Sequence, residues 1–358
     1  MLEYALGPSR SFVLAISRDR AVPYKLNDRS GLEAASARLL SAIKGRNQGE
    51  IEAREVYREL LEPVADLPRA ERLIIVPDGA LRMVPFEAVI DPQRRRLIDT
   101  HVVSYAPSGT AYYALSAQEQ QKAKGFELLA VGGLPYQSMA SGYIAMPVRA
   151  GGLFSPLAPP FFSTLRGSTT EVAGIAAATR WDRTLLTGAN ATEKALKDLA
   201  LASYDVLHFA LHSAIDQEFP DRSGLVLWSD RSDQEDGLLQ AREIMRLKLN
   251  ADLVTLSACD GAADGAAGPP GTNSLVNAFL MAGARSVVAS VWGADDVFTA
   301  ALMRRFYENL SNGLDKGEAL TMAKRELLNM YGPNAIPLYW AGFRLVGDTH
   351  GKLSEEAR

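Results

Sequence analysis

From about residue 126 onward, short apolar runs alternate with segments of helical spacing. "FELLAVGGL" (126–134), "YDVLHFALH" (204–212), "ADLVTLSAC" (251–259), "RSVVASVW" (285–292) and "YWAGFRLVG" (339–347) are continuously apolar over strand length, and "RTLLTG" (183–188) is a shorter run of the same kind. Such runs are expected of strands covered on both faces. Between them, helices are predicted over "EVAGIAAATR" (171–180), "TEKALKDLALA" (192–202), "LLQAREIMRLKL" (238–249), "LVNAFLMAG" (275–283), "DDVFTAALMRRFYENLSNG" (295–313, with Gly313 past the end) and "KGEALTMAKRELLNMYG" (316–332). Ser168 and Glu171 have the spacing of a capping box ahead of the first of these. Strand and helix alternating in this way predict an α/β fold with a mostly parallel sheet, flanked by helices on both faces.

The first third has the same ingredients in a different order. "SFVLAISRD" (11–19) and "AVPYKL" (21–26) read as a hairpin, "GLEAASARLLSAI" (31–43) and "EIEAREVYRELLEPV" (50–64, ended by Pro63) as helices, and "RLIIVPDG" (72–79) and "HVVSYAPS" (101–108) as strands. The polar stretch "QEQQKAKG" (118–125) divides the chain into an N-terminal α/β subdomain (1–125), a larger domain (126–347) and a polar C-terminal tail (348–358).

Composition narrows the setting. The chain has 358 residues, 47% of them apolar, a formal net charge of -4 and one cysteine. No basic face invites nucleic acid, no apolar run reaches the roughly 18–20 residues that span a bilayer, and a lone cysteine forms no internal disulfide. These features predict a cytoplasmic chain with no direct nucleic-acid or membrane partner.

Candidate chemistry collects at strand ends, because in open parallel sheets sites form beyond the carboxyl ends of the strands. Cys259 ends one strand and His212 ends another. Taken alone, an unpaired cysteine is more often a small buried hydrophobe than a nucleophile. The histidines change that weighting. Only His101, His208, His212 and His350 exist; His208 and His212 share a face of their strand by the period of two, His208 lying deeper as a packing residue. His101, at a strand start, and His350, in the tail, carry no assigned role. If the two strands are neighbours joined by one crossover, thiol and imidazole share a rim. No metal-ligand set, calcium loop or phosphate-binding loop is present in the sequence, and no cofactor is expected.

Forty-seven residues separate His212 from Cys259, close to the roughly 50 that precede the Q-A-C-x-G core of caspases; here that core reads Ser257, Ala258, Cys259, Asp260, Gly261. With "VLHFALHS", "LNADLVTLSACDG", "FLMAGARSVVASVW" and "YWAGFRLVG", residues 126–347 resemble a CHAT domain, a caspase-like, clan CD cysteine peptidase family related to separase. "SFVLAISRD" and "RLIIVPDGALRMVPFEAV" resemble its upstream part. The resemblance implies a caspase-like fold with a pseudo-protease-like N-terminal subdomain, and a cysteine endopeptidase acting on a partner protein or peptide. Cys259 would be the nucleophile, His212 the proton carrier, and the backbone N–H groups of Ser213 and Cys259 the oxyanion donors. By similarity with separases, Asp295 and Asp296, just beyond Trp292, would face a basic P1 side chain; one of them serving as a helix cap is the alternative. A sensor or regulatory protein would supply activation.

Two departures stand out. The family commonly has His-Gly where this chain has His212-Ser213, which costs about 1–2 kcal/mol if that turn needs positive φ, and "PPGTN" replaces a Gly-Glu-Gly element. Two loops, 135–167 and 260–274, are expected to control the site, with Arg149 and Arg166 as candidate processing points. A catalytically inactive interaction module is the competing reading, and a small-molecule thiol hydrolase a more distant third.

Overall fold

The computed structural model describes residues 1–65, 70–117, 126–136, 147–148, 155–156, 165–216, 218–229, 235–257, 270–293 and 295–353. Cys259, Arg149, the 118–125 boundary, residues 260–269 and most of 135–167 lie outside the described residues, as does the Arg166 side chain.

The N-terminal third contributes β1 (Leu2–Ala5), β2 (Ser11–Ile16), β3 (Ala21–Leu26), β4 (Arg72–Val76) and β5 (Val102–Tyr105), with helices α1 (Arg29–Lys44), α2 (Glu50–Leu60), α3 (Leu97–Thr100) and α4 (Gly109–Ser116). The remainder contributes β6 (Glu127–Gly132), the short pair β7 (Pro147–Val148) and β8 (Ser155–Pro156), β9 (Asp182–Thr187), β10 (Val206–Ala210), β11 (Ser213–Ala214), β12 (Gly224–Val226), β13 (Leu238–Gln240), β14 (Leu253–Leu256), β15 (Ser286–Ser290) and β16 (Phe343–Gly347). Its helices are α5 (Arg166–Ala178), α6 (Glu193–Lys197), α7 (Ala241–Ile244), α8 (Pro270–Met281), α9 (Asp296–Ser311), α10 (Lys316–Tyr331) and α11 (Pro337–Trp340).

Eleven strands form one sheet in the order β3-β2-β1-β4-β5-β16-β15-β14-β10-β6-β9. The junctions β3–β2, β2–β1 and β16–β15 are antiparallel and the other pairings parallel. The mostly parallel sheet predicted from the alternation is therefore present. The last strand in sequence, β16, enters the middle of it, pairing with β15 on one side and through Val346 and Tyr105 with β5 on the other. Both halves of the chain thus share one backbone ladder.

Each face carries a core. Along β10, Val206 and Ala210 belong to the apolar cluster that contains Phe306 and Tyr307 of α9, whereas Leu207 and Phe209 belong to the cluster around Phe279 of α8. This alternation is the period of two at work in a strand buried on both sides. Gly132, at the end of β6, is needed for the close fit on one face: a Cβ there would stand 2.8 Å from Val172 of α5 and 3.1 Å from Ala210.

Several local expectations are corrected. "LLQAREIMRLKL" is not one helix: Leu238–Gln240 is the outer strand of a small antiparallel sheet, β11-β12-β13, and only Ala241–Ile244 turns helically. Leu238 and Leu239 are both buried there, so a doublet that reads as a helix face is spent on two sides of a strand. The helix expected over 192–202 stops at Lys197. α5 starts at Arg166, ahead of the expected capping box. Ser168 instead accepts the Gly133 N–H at 2.8 Å, and Glu171 reaches into the sheet. Beyond residue 347 the chain stays packed as far as Leu353, with Asp348, Thr349 and Leu353 buried. No helix among the described residues is long and apolar enough to cross a membrane.

Candidate active site

The strands that precede the two sequence-predicted residues are neighbours. β10 and β14 run parallel, with His208 opposite Thr255 and Phe209 opposite Leu256, so the ladder pairs positions 47 apart. The Ser257 N–H donates to the Phe209 carbonyl at 2.9 Å, extending the contact one residue beyond β14. Ser257 is buried and is the last described residue before Cys259.

His212 lies two residues past the end of β10 and is 1% exposed. Three contacts from two residues, Val226 and Tyr136, hold it. Its carbonyl accepts the Val226 N–H of β12 at 2.9 Å, its own N–H donates to the Tyr136 hydroxyl at 3.1 Å, and the Tyr136 ring meets the imidazole edge-on with centroids 4.6 Å apart. Tyr136 in turn donates to the Val226 carbonyl at 3.0 Å.

Ser213 follows in β11, paired opposite Leu225, with Ala214 opposite Gly224. Antiparallel ladders alternate bonded and non-bonded pairs. Since Val226 bonds back to His212, Ser213 falls on a non-bonded pair and its N–H is directed away from β12. Its backbone is not in the left-handed region, which among described non-glycine residues holds only Arg46 and Arg94. The strain attached to a serine after the histidine is therefore absent.

The acidic positions separate. Asp295 is the N-cap of α9, its Oδ1 accepting the N–H groups of Val297 at 3.1 Å and Phe298 at 3.0 Å. This is the capping alternative. Asp295→Ala is expected to lower stability by about 1 kcal/mol, read as the shift in a urea unfolding midpoint, because an aspartate cap satisfies otherwise orphaned N–H groups. Asp296, in the first turn, is half-buried where Gly167 of α5 packs against its backbone oxygen and Cβ. Trp292 belongs to the core rather than to an open wall. Its Nε1 donates to the Leu338 carbonyl at 2.7 Å, and a Cβ on Gly342 would lie 2.8 Å from that nitrogen.

His208 is fully buried, as its deeper position implied, but not among apolar groups alone. Its Nδ1 is 3.1 Å from the Tyr307 hydroxyl, its Nε2 is 3.0 Å from Glu171 Oε1, and Tyr307 donates to Thr255 at 3.1 Å. Burial pushes the Tyr307 phenol above its ordinary value against the pull of the Thr255 hydrogen bond. This polar cluster spans β10, β14, α5 and α9 directly below the strand ends. Neither Glu171 nor Tyr136 emerges from the sequence as a site residue. Glu171 reads as half of a capping box, and Tyr136 stands in "GGLPYQS", where its position just past the end of β6 is the available signal.

Among the described residues, Glu193, Glu235 and Glu243 cluster at metal-ligand distances. The Lys197 ammonium already sits on all three, at 2.7, 2.9 and 2.9 Å. Burial raises Glu193 to about 7.

Comparison with known proteins gives the following. The chain is 32% identical over 127 residues to tetratricopeptide repeat protein 28 of Mus musculus and 31% identical over 119 residues to that of Homo sapiens, covering 36% and 33% of this chain. The aligned segment is only 5% of the length of either relative. Among solved structures, the Saccharomyces cerevisiae separase–securin complex matches with a TM-score of 0.48 at 13% identity, over 82% of this chain and 17% of that one. The Arg-specific cysteine proteinase gingipain R matches with a TM-score of 0.46 at 9% identity, over 90% of this chain and 74% of that one. The sequence model of the CHAT domain matches residues 50–348, from α2 to just past β16 and across both halves of the sheet, so this chain belongs to the CHAT domain family.

Proposed function

We propose that this protein is a cysteine endopeptidase in which Cys259 and His212 form the catalytic dyad. The observation that carries this reading is the β10–β14 register, in which partners stand 47 positions apart, the same number that separates His212 from Cys259. A backbone bond adds to it. Ser257, two positions before Cys259 in the sequence, donates its N–H to the Phe209 carbonyl of the strand that leads into His212.

In this reading the Cys259 thiolate attacks the scissile carbonyl carbon, and the oxygen becomes an oxyanion held by the N–H groups of Ser213 and Cys259, a contribution of roughly 3–4 kcal/mol per donor. The carbon–nitrogen bond then breaks as His212 gives its proton to the departing amine. Water, deprotonated by His212, attacks the thioester and releases the acid and the thiol. The extended backbone of Ser213 and the direction of its N–H support its role.

The substrate is a partner protein cut after a basic residue. Asp296, half-buried in the first turn of α9 and four positions beyond Trp292, carries that preference. Fluorogenic peptides ending in Arg, Lys or Asp test it. Cleavage is expected after Arg and Lys, and Asp296→Asn is expected to lower kcat/KM on the Arg peptide by about tenfold, the scale of one partly desolvated charge pair. Hydrolysis only after Asp refutes the assignment. The second reading, an interaction module without turnover, draws on the nearly complete burial of His212; under either reading a separate protein acts as regulator.

A further inference from the structure

We infer that Tyr136 is a positioning residue for the dyad, setting the direction in which His212 leaves the sheet. The inference rests on the dyad proposed above, but its own observations are independent of Cys259. In an uninterrupted antiparallel pair, His212 and Val226 would exchange two backbone bonds. One of them is present, from the Val226 N–H to the His212 carbonyl. In place of the other stands the Tyr136 hydroxyl, which accepts from the His212 N–H at 3.1 Å and donates to the Val226 carbonyl at 3.0 Å.

A phenol oxygen inserted into a ladder holds the strands apart on one side only. The chain bends between β10 and β11, at Leu211 immediately before His212. The peptide unit that carries the His212 N–H fixes the Cα–Cβ direction of its side chain, and the next unit carries the Ser213 N–H. One hydroxyl thus sets the origin of the imidazole and the direction of the oxyanion donor. The Tyr136 ring adds an edge-on contact with centroids 4.6 Å apart, which confines rotation of the imidazole. Tyr136 is 3% exposed, so water does not compete for its bonds.

Removing the hydroxyl leaves the ladder free to close into a direct bond from the His212 N–H to the Val226 carbonyl. That closure rotates the His212 peptide and withdraws the imidazole from its line to the thiol. The signature is the nucleophilicity of the chain's single cysteine, which needs no knowledge of the natural substrate. Iodoacetamide alkylation is measured at about pH 6, where an ordinary thiol of pKa about 8.5 is almost wholly protonated. The wild-type protein is expected to alkylate rapidly, and His212→Ala to lose that reactivity.

Tyr136→Phe, which keeps the ring, and Tyr136→Gln, which keeps a donor and an acceptor but not the ring, are each expected to lower the rate at least about tenfold, as misplacement of a reacting group by an ångström does. Unfolding midpoints show that the compared variants are folded. Tyr204→Phe is the control, since that hydroxyl bonds to Thr184 at the opposite end of β10, and it leaves the rate unchanged. If either Tyr136 variant folds and alkylates at the wild-type rate while His212→Ala does not, the role of Tyr136 is overturned and the dyad stands. If the wild-type thiol reacts at the rate of an ordinary cysteine and His212→Ala changes nothing, the dyad itself is overturned and the role of Tyr136 with it.

Discussion

Cys259→Ala is expected to reduce peptide-bond cleavage to the uncatalysed background, and His212→Ala to lower kcat by about 10²- to 10⁴-fold, the range over which a positioned proton carrier acts. Combining the two should cost no more than Cys259→Ala alone. Groups that act in one step fail together: without the sulfur there is no thioester for the imidazole to assist, and their effects do not add. His212→Ala has a structural component, because the imidazole is packed against Tyr136. The backbone bonds of His212 to Val226 and Tyr136 survive the substitution, so the fold is retained. Steady-state cleavage of an Arg-terminated fluorogenic peptide, together with the unfolding midpoint of each variant, separates the two effects. Turnover by Cys259→Ala at the wild-type rate removes the peptidase reading. Loss of turnover with an intact biological effect assigns that effect to binding.

The strands that lead to this candidate site are legible in the sequence where the physics is local. β10 and β14 are legible because each is a run of buried apolar residues leading into a chemically distinctive one, and because parallel strands joined by one crossover connection tend to lie side by side. The number of positions between His212 and Cys259 equals the offset of the β10–β14 ladder, which runs as far as Phe209 opposite Leu256. Non-local features were not legible. β11, β12 and β13 have two or three residues each, too few for an alternation to stand out, and Leu238, Leu239 and Ile244 mimic a helical stripe. The Tyr136 hydroxyl replaces a backbone bond between residues 76 and 90 positions away, and no window of sequence contains that relation. The two aspartates after Trp292 look alike in sequence. Only the placement of the α9 N-terminus commits Asp295 to the cap and leaves Asp296 beside α5.

The N-terminal third and the remainder of the chain share a buried ionic joint, and breaking it should be the most damaging single change to stability. Glu87 of the N-terminal half accepts from the Tyr105 hydroxyl at 2.5 Å and from Lys324 of α10 at 2.9 Å. Lys324 also donates to the Phe343 carbonyl at the start of β16, and Arg344 lies 4.6 Å above the Tyr105 ring while donating to the Met83 carbonyl. Glu87 and Lys324 are both buried, so neither charge is hydrated if the other is lost. Glu87→Ala is accordingly expected to cost about 3–5 kcal/mol at neutral pH, the range for an orphaned buried charge. Replacing both partners, as Glu87→Leu with Lys324→Met, should recover most of that loss, because an apolar pair carries no desolvation penalty.

The pH dependence has a definite sign. Burial already holds Lys324 below its ordinary value, with Glu87 opposing the shift; without Glu87 it falls further. Between that depressed value and the unfolded value of about 10.4, the unfolded chain binds the extra proton, so stability rises with pH and the deficit of Glu87→Ala narrows in alkali. Urea unfolding at neutral pH and again near pH 9.5 measures both effects. Because the joint fastens β5 and β16 within one continuous sheet, the two halves should unfold in a single transition in the wild-type protein. A Glu87→Ala protein within about 1 kcal/mol of wild type, or a double variant no more stable than the single one, would mean that this network does not hold the halves together.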